Sequence, residues 1–80
     1  MADTISQQVI DFTANYTSQQ PDSITESTTL ESIGIVTIQD TIEYMMELED
    51  SFELIYEESD ASGIVTVGDA IELIKKKLGG

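Results

Sequence analysis

Hydrophobic positions along the chain fall into three runs with a helical period. Ile5, Val9, Phe12 and Tyr16 step by four, three and four, which predicts a first helix with one apolar face. Ile38, Ile42, Met45, Leu48 and Phe52 repeat that drift in the middle of the chain, with Met46 beside them. Val67, Ile71, Ile74 and Leu78 do the same near the end. Thr66 stands where it can N-cap the last helix, and Asp69, three residues on, makes a capping-box pattern with it. Lys75, Lys76 and Lys77 occupy the final turn, where cations suit the helix dipole, and Gly79 and Gly80 end it.

The first connection, residues 18–36, is longer than the roughly 2–8 residues usual between helices. Pro21, Asp22, Ser23 and Gly34 in it are turn formers. It also carries Ile24, Leu30, Ile33 and Ile35, which a solvated linker would not need, so these are expected to tuck into the core. Residues 54–65 form a shorter connection with a helical turn expected around 57–61. The pattern therefore reads as an all-α fold: a small bundle of three main helices with one long packed loop, in a single domain over residues 1–80.

Composition narrows the chemistry. Three lysines against sixteen acids leave a net charge of −13, with no histidine, arginine or cysteine. Without a cationic footprint to displace counterions, nucleic acid is excluded as a partner, and an anionic membrane is disfavoured for the same reason. No disulfide, zinc–thiolate site or Ser-His or Cys-His catalysis can be built, and nothing supplies a tuned general base or oxyanion hole. A non-enzymatic role follows. No apolar run reaches the roughly 18–20 residues that span a bilayer, and residues 1–8 lack the basic and apolar regions of a secretion signal. A cytoplasmic monomer is the expectation.

The middle helix carries a second stripe. Asp40, Glu43, Glu47 and Asp50 step by three, four and three, placing four carboxylates along one side, and Glu49, Glu53, Glu57, Glu58 and Asp60 extend the negative surface. Like charges at such spacings cost roughly 0.2–0.5 kcal/mol each, so the row does not assist folding. It reads either as a solvated face that keeps the protein soluble or as a docking surface for a basic patch on a partner. No basic residue precedes Lys75, which tilts the reading toward docking.

The run Asp40-Thr41-Ile42-Glu43-Tyr44-Met45-Met46-Glu47-Leu48-Glu49-Asp50-Ser51-Phe52 resembles the second helix of acyl carrier proteins. Leu30-Glu31-Ser32-Ile33-Gly34-Ile35 resembles the segment leading into that helix, and Ile64-Val65-Thr66-Val67-Gly68-Asp69-Ala70-Ile71 the start of the last one. The resemblance implies a four-helix bundle with a short third helix. It also implies a module that carries acyl, aminoacyl or peptidyl groups as thioesters on a 4′-phosphopantetheine arm, attached to the serine of an Asp-Ser-Leu motif. Its partners would be the basic surfaces of enzymes of fatty-acid, polyketide or peptide biosynthesis, together with a phosphopantetheinyl transferase.

The attachment motif departs from the family pattern. Gly34 and Asp40 fix a register that places Thr37-Ile38-Gln39 where the family has Asp-Ser-Leu. Ile38 has no hydroxyl with which to hold the arm. Thr37, one residue away, is rotated by about 100° around a helix, and its β-branch restricts it; its main reading is as the N-cap of the middle helix. Ser32 in Glu31-Ser32-Ile33 is the other attachment candidate. Using it would open the helix on a glycine and four β-branched residues. A protein-binding or regulatory module without the arm is the alternative. A third pattern sets Glu58, Asp60, Ser62 and Asp69 at positions one, three, five and twelve of an EF-hand-like calcium loop, with Gly63 at six. Glutamate at the first position and aspartate at the last depart from that motif.

Overall fold

The computed structural model describes residues 4–79. Within them the chain forms three α-helices: α1 (Thr4–Thr17), α2 (Ile38–Ser51) and α3 (Val67–Gly79). Single 3-10 turns occupy Pro21–Ser23, Glu31–Ile33 and Glu58–Ala61, the last where a helical turn was expected. No strand forms among the described residues, only an isolated antiparallel bridge between Thr29 and Thr66. Residues 1–3 and Gly80 lie outside the described residues, and so does that part of the reading of residues 1–8.

The long first connection packs as its apolar residues predict. Ile24, Leu30 and Ile35 are buried and Ile33 is half-buried. Its backbone runs against the start of α3: the Leu30 N–H donates to the Val65 carbonyl at 2.9 Å, the Val67 N–H to Thr28 at 2.9 Å, and the Gly68 N–H to Glu26 at 2.8 Å. These bonds satisfy backbone groups that a buried loop would otherwise leave orphaned. A glycine is required at Gly68 for this approach, because a Cβ there would sit 2.8 Å from the Glu26 carbonyl oxygen. Gly34, at φ +99°, closes the Glu31–Ile33 turn in the left-handed region that side chains disfavour.

Two of the expected apolar seams are rotated. In α1 the buried residues are Ser6, Val9, Thr13 and Ala14, whereas Ile5, Phe12 and Tyr16 are half-buried. In α2 they are Thr41, Tyr44, Met45, Leu48 and Glu49. Ile38 is 65% exposed and Met46 48% exposed, although the periodicity assigned the first to the seam and set the second beside it. Tyr44 accounts for the turn. Its ring is fully buried among Phe12 and Tyr16, with centroids 6.2 and 5.5 Å away, and its hydroxyl is 2.6 Å from Thr13 Oγ1. A buried aromatic contributes more apolar area than an isoleucine in a helix's first turn, and its phenol requires the partner that Thr13 supplies. Burial pushes the Tyr44 phenol up to about 12. In α3 the pattern holds for Val67, Ile71 and Ile74, while Leu78 remains 45% exposed.

Candidate functional site

The start of α2 is fixed by a reciprocal cap. Thr37 has extended backbone, and its Oγ1 accepts the Asp40 N–H at 3.0 Å. Asp40 Oδ2 in turn accepts from the N–H groups of Thr37 and Val36 at 3.2 and 3.3 Å. Those two backbone donors, with the Thr37 hydroxyl, hold the Asp40 carboxyl below the usual aspartate range. The same device opens α3, where Asp69 and Thr66 cap one another as the sequence predicts.

The three motif positions lie around this cap. Thr37 is the N-cap itself, Ile38 is the first helical residue with its side chain outward, and Gln39 is exposed behind it. Ser32 is the middle residue of the Glu31–Ile33 turn, exposed, and its Oγ donates to the Thr29 carbonyl at 2.7 Å. An open cleft of about 260 Å³ lies beside the cap, lined by Leu30, Glu31, Ile35, Val36, Thr41, Ile64 and Val65. As a seat for a phosphopantetheine arm the arrangement is mixed. Ile38 offers no oxygen, the Thr37 oxygen accepts the cap bond, and Ser32 offers an exposed hydroxyl on a turn rather than at the head of a helix.

Along the rest of α2, Glu43, Glu47 and Asp50 are exposed and Asp40 is half-exposed. The row faces outward toward the end of α1. Tyr16 registers it there: burial raises its phenol pKa first, and the negative charges of Glu47, Glu43 and Asp40 raise it further. Ile38, half-buried Ile42 and Met46 follow one another at four-residue intervals, so an apolar strip lies along the exposed helix next to the carboxylates.

The negative surface is smaller than the sequence suggests, because two of its acids turn inward. Glu49 is fully buried and Asp60 is 8% exposed, both held by Lys77. Periodicity gave one usable signal for this: Glu49 follows Met45 by four residues and so falls toward the core side of the helix. The EF-hand-like set does not converge. Asp60 binds Lys77, Asp69 caps α3, and Glu58 and Ser62 are exposed. Among the described residues no three acidic side chains meet in a group that could hold a metal ion.

The fold and this face define a small, acidic, three-helix protein with a row of outward carboxylates beside a capped helix start. No protein-family model matches the chain. Over 40 residues the chain is 45% identical to the acyl carrier protein of Prochlorococcus marinus (strain MIT 9515), a stretch that covers 50% of this chain and 50% of that protein. The match thus spans about half the length of the curated relative. No helix among the described residues is long and apolar enough to cross a membrane.

Proposed function

We propose that the chain is an acyl-carrier-like module, one unit over residues 1–80, that docks through the outer face of α2 on basic surfaces of acyl-transferring or biosynthetic enzymes. The observation that carries this reading is the row Asp40, Glu43, Glu47 and Asp50, turned to solvent on a helix whose neighbouring strip, Ile38 and Met46, is apolar and exposed. A cationic partner would gain both charge complementarity and apolar contact there. The partial likeness to an acyl carrier protein supports the same assignment. Between α2 and α3 lies a four-residue 3-10 turn, Glu58–Ala61, at the position where a four-helix scheme would have a short third helix. The role is that of a carrier or binding protein in the cytoplasm, not of a catalyst.

Two versions of this function differ in the arm. A 4′-phosphopantetheine group supplies a terminal thiol for carrying an acyl group; here Ser32 or Thr37 would hold it, and the cleft beside Val36 and Val65 offers apolar surface nearby. The version without the arm is favoured by Ile38 heading α2 and by the commitment of Thr37 Oγ1 to the cap. The intact-protein mass after incubation with coenzyme A and a broad-specificity phosphopantetheinyl transferase separates them. A gain of one arm, abolished by Ser32→Ala or by Thr37→Ala, establishes carriage and its site. No gain with several transferases removes carriage and leaves a protein-binding module.

A further inference from the structure

Away from the outer face of α2, one ammonium is shared by two buried carboxylates. Lys77, near the end of α3, bonds Glu49 Oε1 of α2, Asp60 Oδ2 of the Glu58–Ala61 turn, and the Ile55 carbonyl at 2.7 Å. Glu49 is fully buried, Asp60 is 8% exposed and the Lys77 side chain 18% exposed. The charges do not balance, since two carboxylates and one ammonium leave a net negative charge where little water can solvate it. Glu49 Oε2 is buried and has no hydrogen-bond partner, and the Tyr56 hydroxyl is in the same condition. The site thus carries one charge too many and one carboxylate oxygen unsatisfied.

We propose that the Glu49–Asp60–Lys77 cluster is a proton-sensitive clasp that holds residues 54–61 against α2 and α3, tightening when Glu49 takes up one proton on Oε2. Protonation there makes the cluster neutral, while Lys77 keeps Asp60 and the Ile55 carbonyl. The groups facing Glu49 come from each element packed on it: Asp60 from the turn, Lys77 from α3, and Tyr56 with the Ile55 carbonyl from the connection. Their geometry supports the order of events. Burial raises the Glu49 pKa, with Lys77 opposing and the Asp60 charge adding to the rise, and its Oε2 has no donor. Despite its own desolvation, Asp60 is held below its ordinary range, because its Oδ2 accepts from both Lys77 and the Glu57 N–H. Glu49 therefore protonates while Asp60 is still ionised. Segment 54–61 closes on mild acidification, the reverse of the usual acid loosening of a carboxylate-paired fold. The proposal is independent of what docks on the outer face of α2.

Amide hydrogen exchange, expressed as protection factors, tests it. The reporters are the Leu54 N–H, which donates to the Glu49 backbone carbonyl at 2.9 Å, and the Asp60 N–H, which donates to the Glu57 backbone carbonyl at 2.8 Å. Between about pH 7.5 and pH 4.5 their protection should rise as the pH falls, by up to about tenfold per unit separating the folded from the unfolded Glu49 pKa. Glu49→Gln should hold these amides at the high level at both ends of the range. Glu47→Gln, on the outer row, should keep the wild-type dependence and so controls for general charge repulsion. A full pH dependence surviving in Glu49→Gln overturns the clasp. If that variant does not fold, the side-chain carboxyl of Glu49 is titrated by carbon NMR in the wild-type protein. A midpoint above the ordinary glutamate range supports the clasp, and one at or below that range overturns it.

Discussion

One contact behind the rotation of α2 is a buried hydrogen bond, and breaking it from either side gives a sharp prediction. Thr13 Oγ1 and the Tyr44 hydroxyl lie 2.6 Å apart, and both residues have 0% exposure. Tyr44→Phe leaves the Thr13 hydroxyl in the core without this partner, and Thr13→Val does the same to the Tyr44 phenol. A buried polar group stripped of its partner costs about 1–3 kcal/mol, whereas the net worth of the bond itself is only about 0.5–1.5 kcal/mol. Each single variant should therefore lose about 1–3 kcal/mol. The double variant, with both polar groups gone and shapes nearly kept, should lose clearly less than the sum. For a domain of this size each kcal/mol lowers Tm by roughly 4–8 °C, so thermal melts followed by circular dichroism resolve all three proteins. Urea titration supplies the free energies for the double-mutant cycle. Single losses under about 0.3 kcal/mol, or losses that simply add, would refute the claim that this pair helps hold the helix in its rotation.

Other expectations follow from the caps and the close approach at Gly68. Gly68→Ala places a Cβ 2.8 Å from the Glu26 carbonyl oxygen, so the first connection must move off α3; a loss of about 1–3 kcal/mol in urea unfolding is expected, as for overpacking elsewhere. Thr37→Ala removes the N-cap acceptor of α2 and should cost about 1 kcal/mol; an unchanged urea midpoint would contradict the cap. The N–H groups of Val65 and Thr66 hold the Asp69 carboxyl below the usual range, so its folded pKa is lower than its unfolded one. Its stabilisation is present above the ordinary aspartate value and is lost as pH falls through the folded one. Melts of wild type and Asp69→Asn should accordingly differ at about pH 6 and converge toward about pH 2, and a constant difference would count against the cap's charge.

Local signals in the sequence identified what local chemistry controls. Thr66 with Asp69 and Thr37 at its helix start announced both caps, and Ile24, Leu30 and Ile35 announced that a long loop would pack. The rotation of α2 was not legible, because a four-three-three-four spacing through Ile38 and Phe52 and the true seam through Tyr44 and Glu49 differ by a modest turn about one axis. What chooses between them is tertiary: a hydroxyl on α1 for Tyr44 and an ammonium on α3 for Glu49. Glu49 and Asp60 looked like more of the acidic surface for the same reason. Their partner is 28 and 17 residues away in sequence, beyond the reach of any local pattern. The outer row itself was legible, since Asp40, Glu43, Glu47 and Asp50 share a side of the helix whatever its rotation by a few tens of degrees.

The proposed function turns most on the outer face of α2 meeting a cationic protein surface. The direct measurement is a heteronuclear NMR titration of the labelled chain with an acyl-carrier-dependent biosynthetic enzyme that has a basic docking surface. Amides of α2 around Ile38, Glu43, Met46, Glu47 and Asp50 should shift or broaden together, and the effect should weaken with added salt and vanish in Glu43→Lys/Glu47→Lys. Perturbations confined to α1 and α3, or binding that the charge reversal leaves intact, would contradict it.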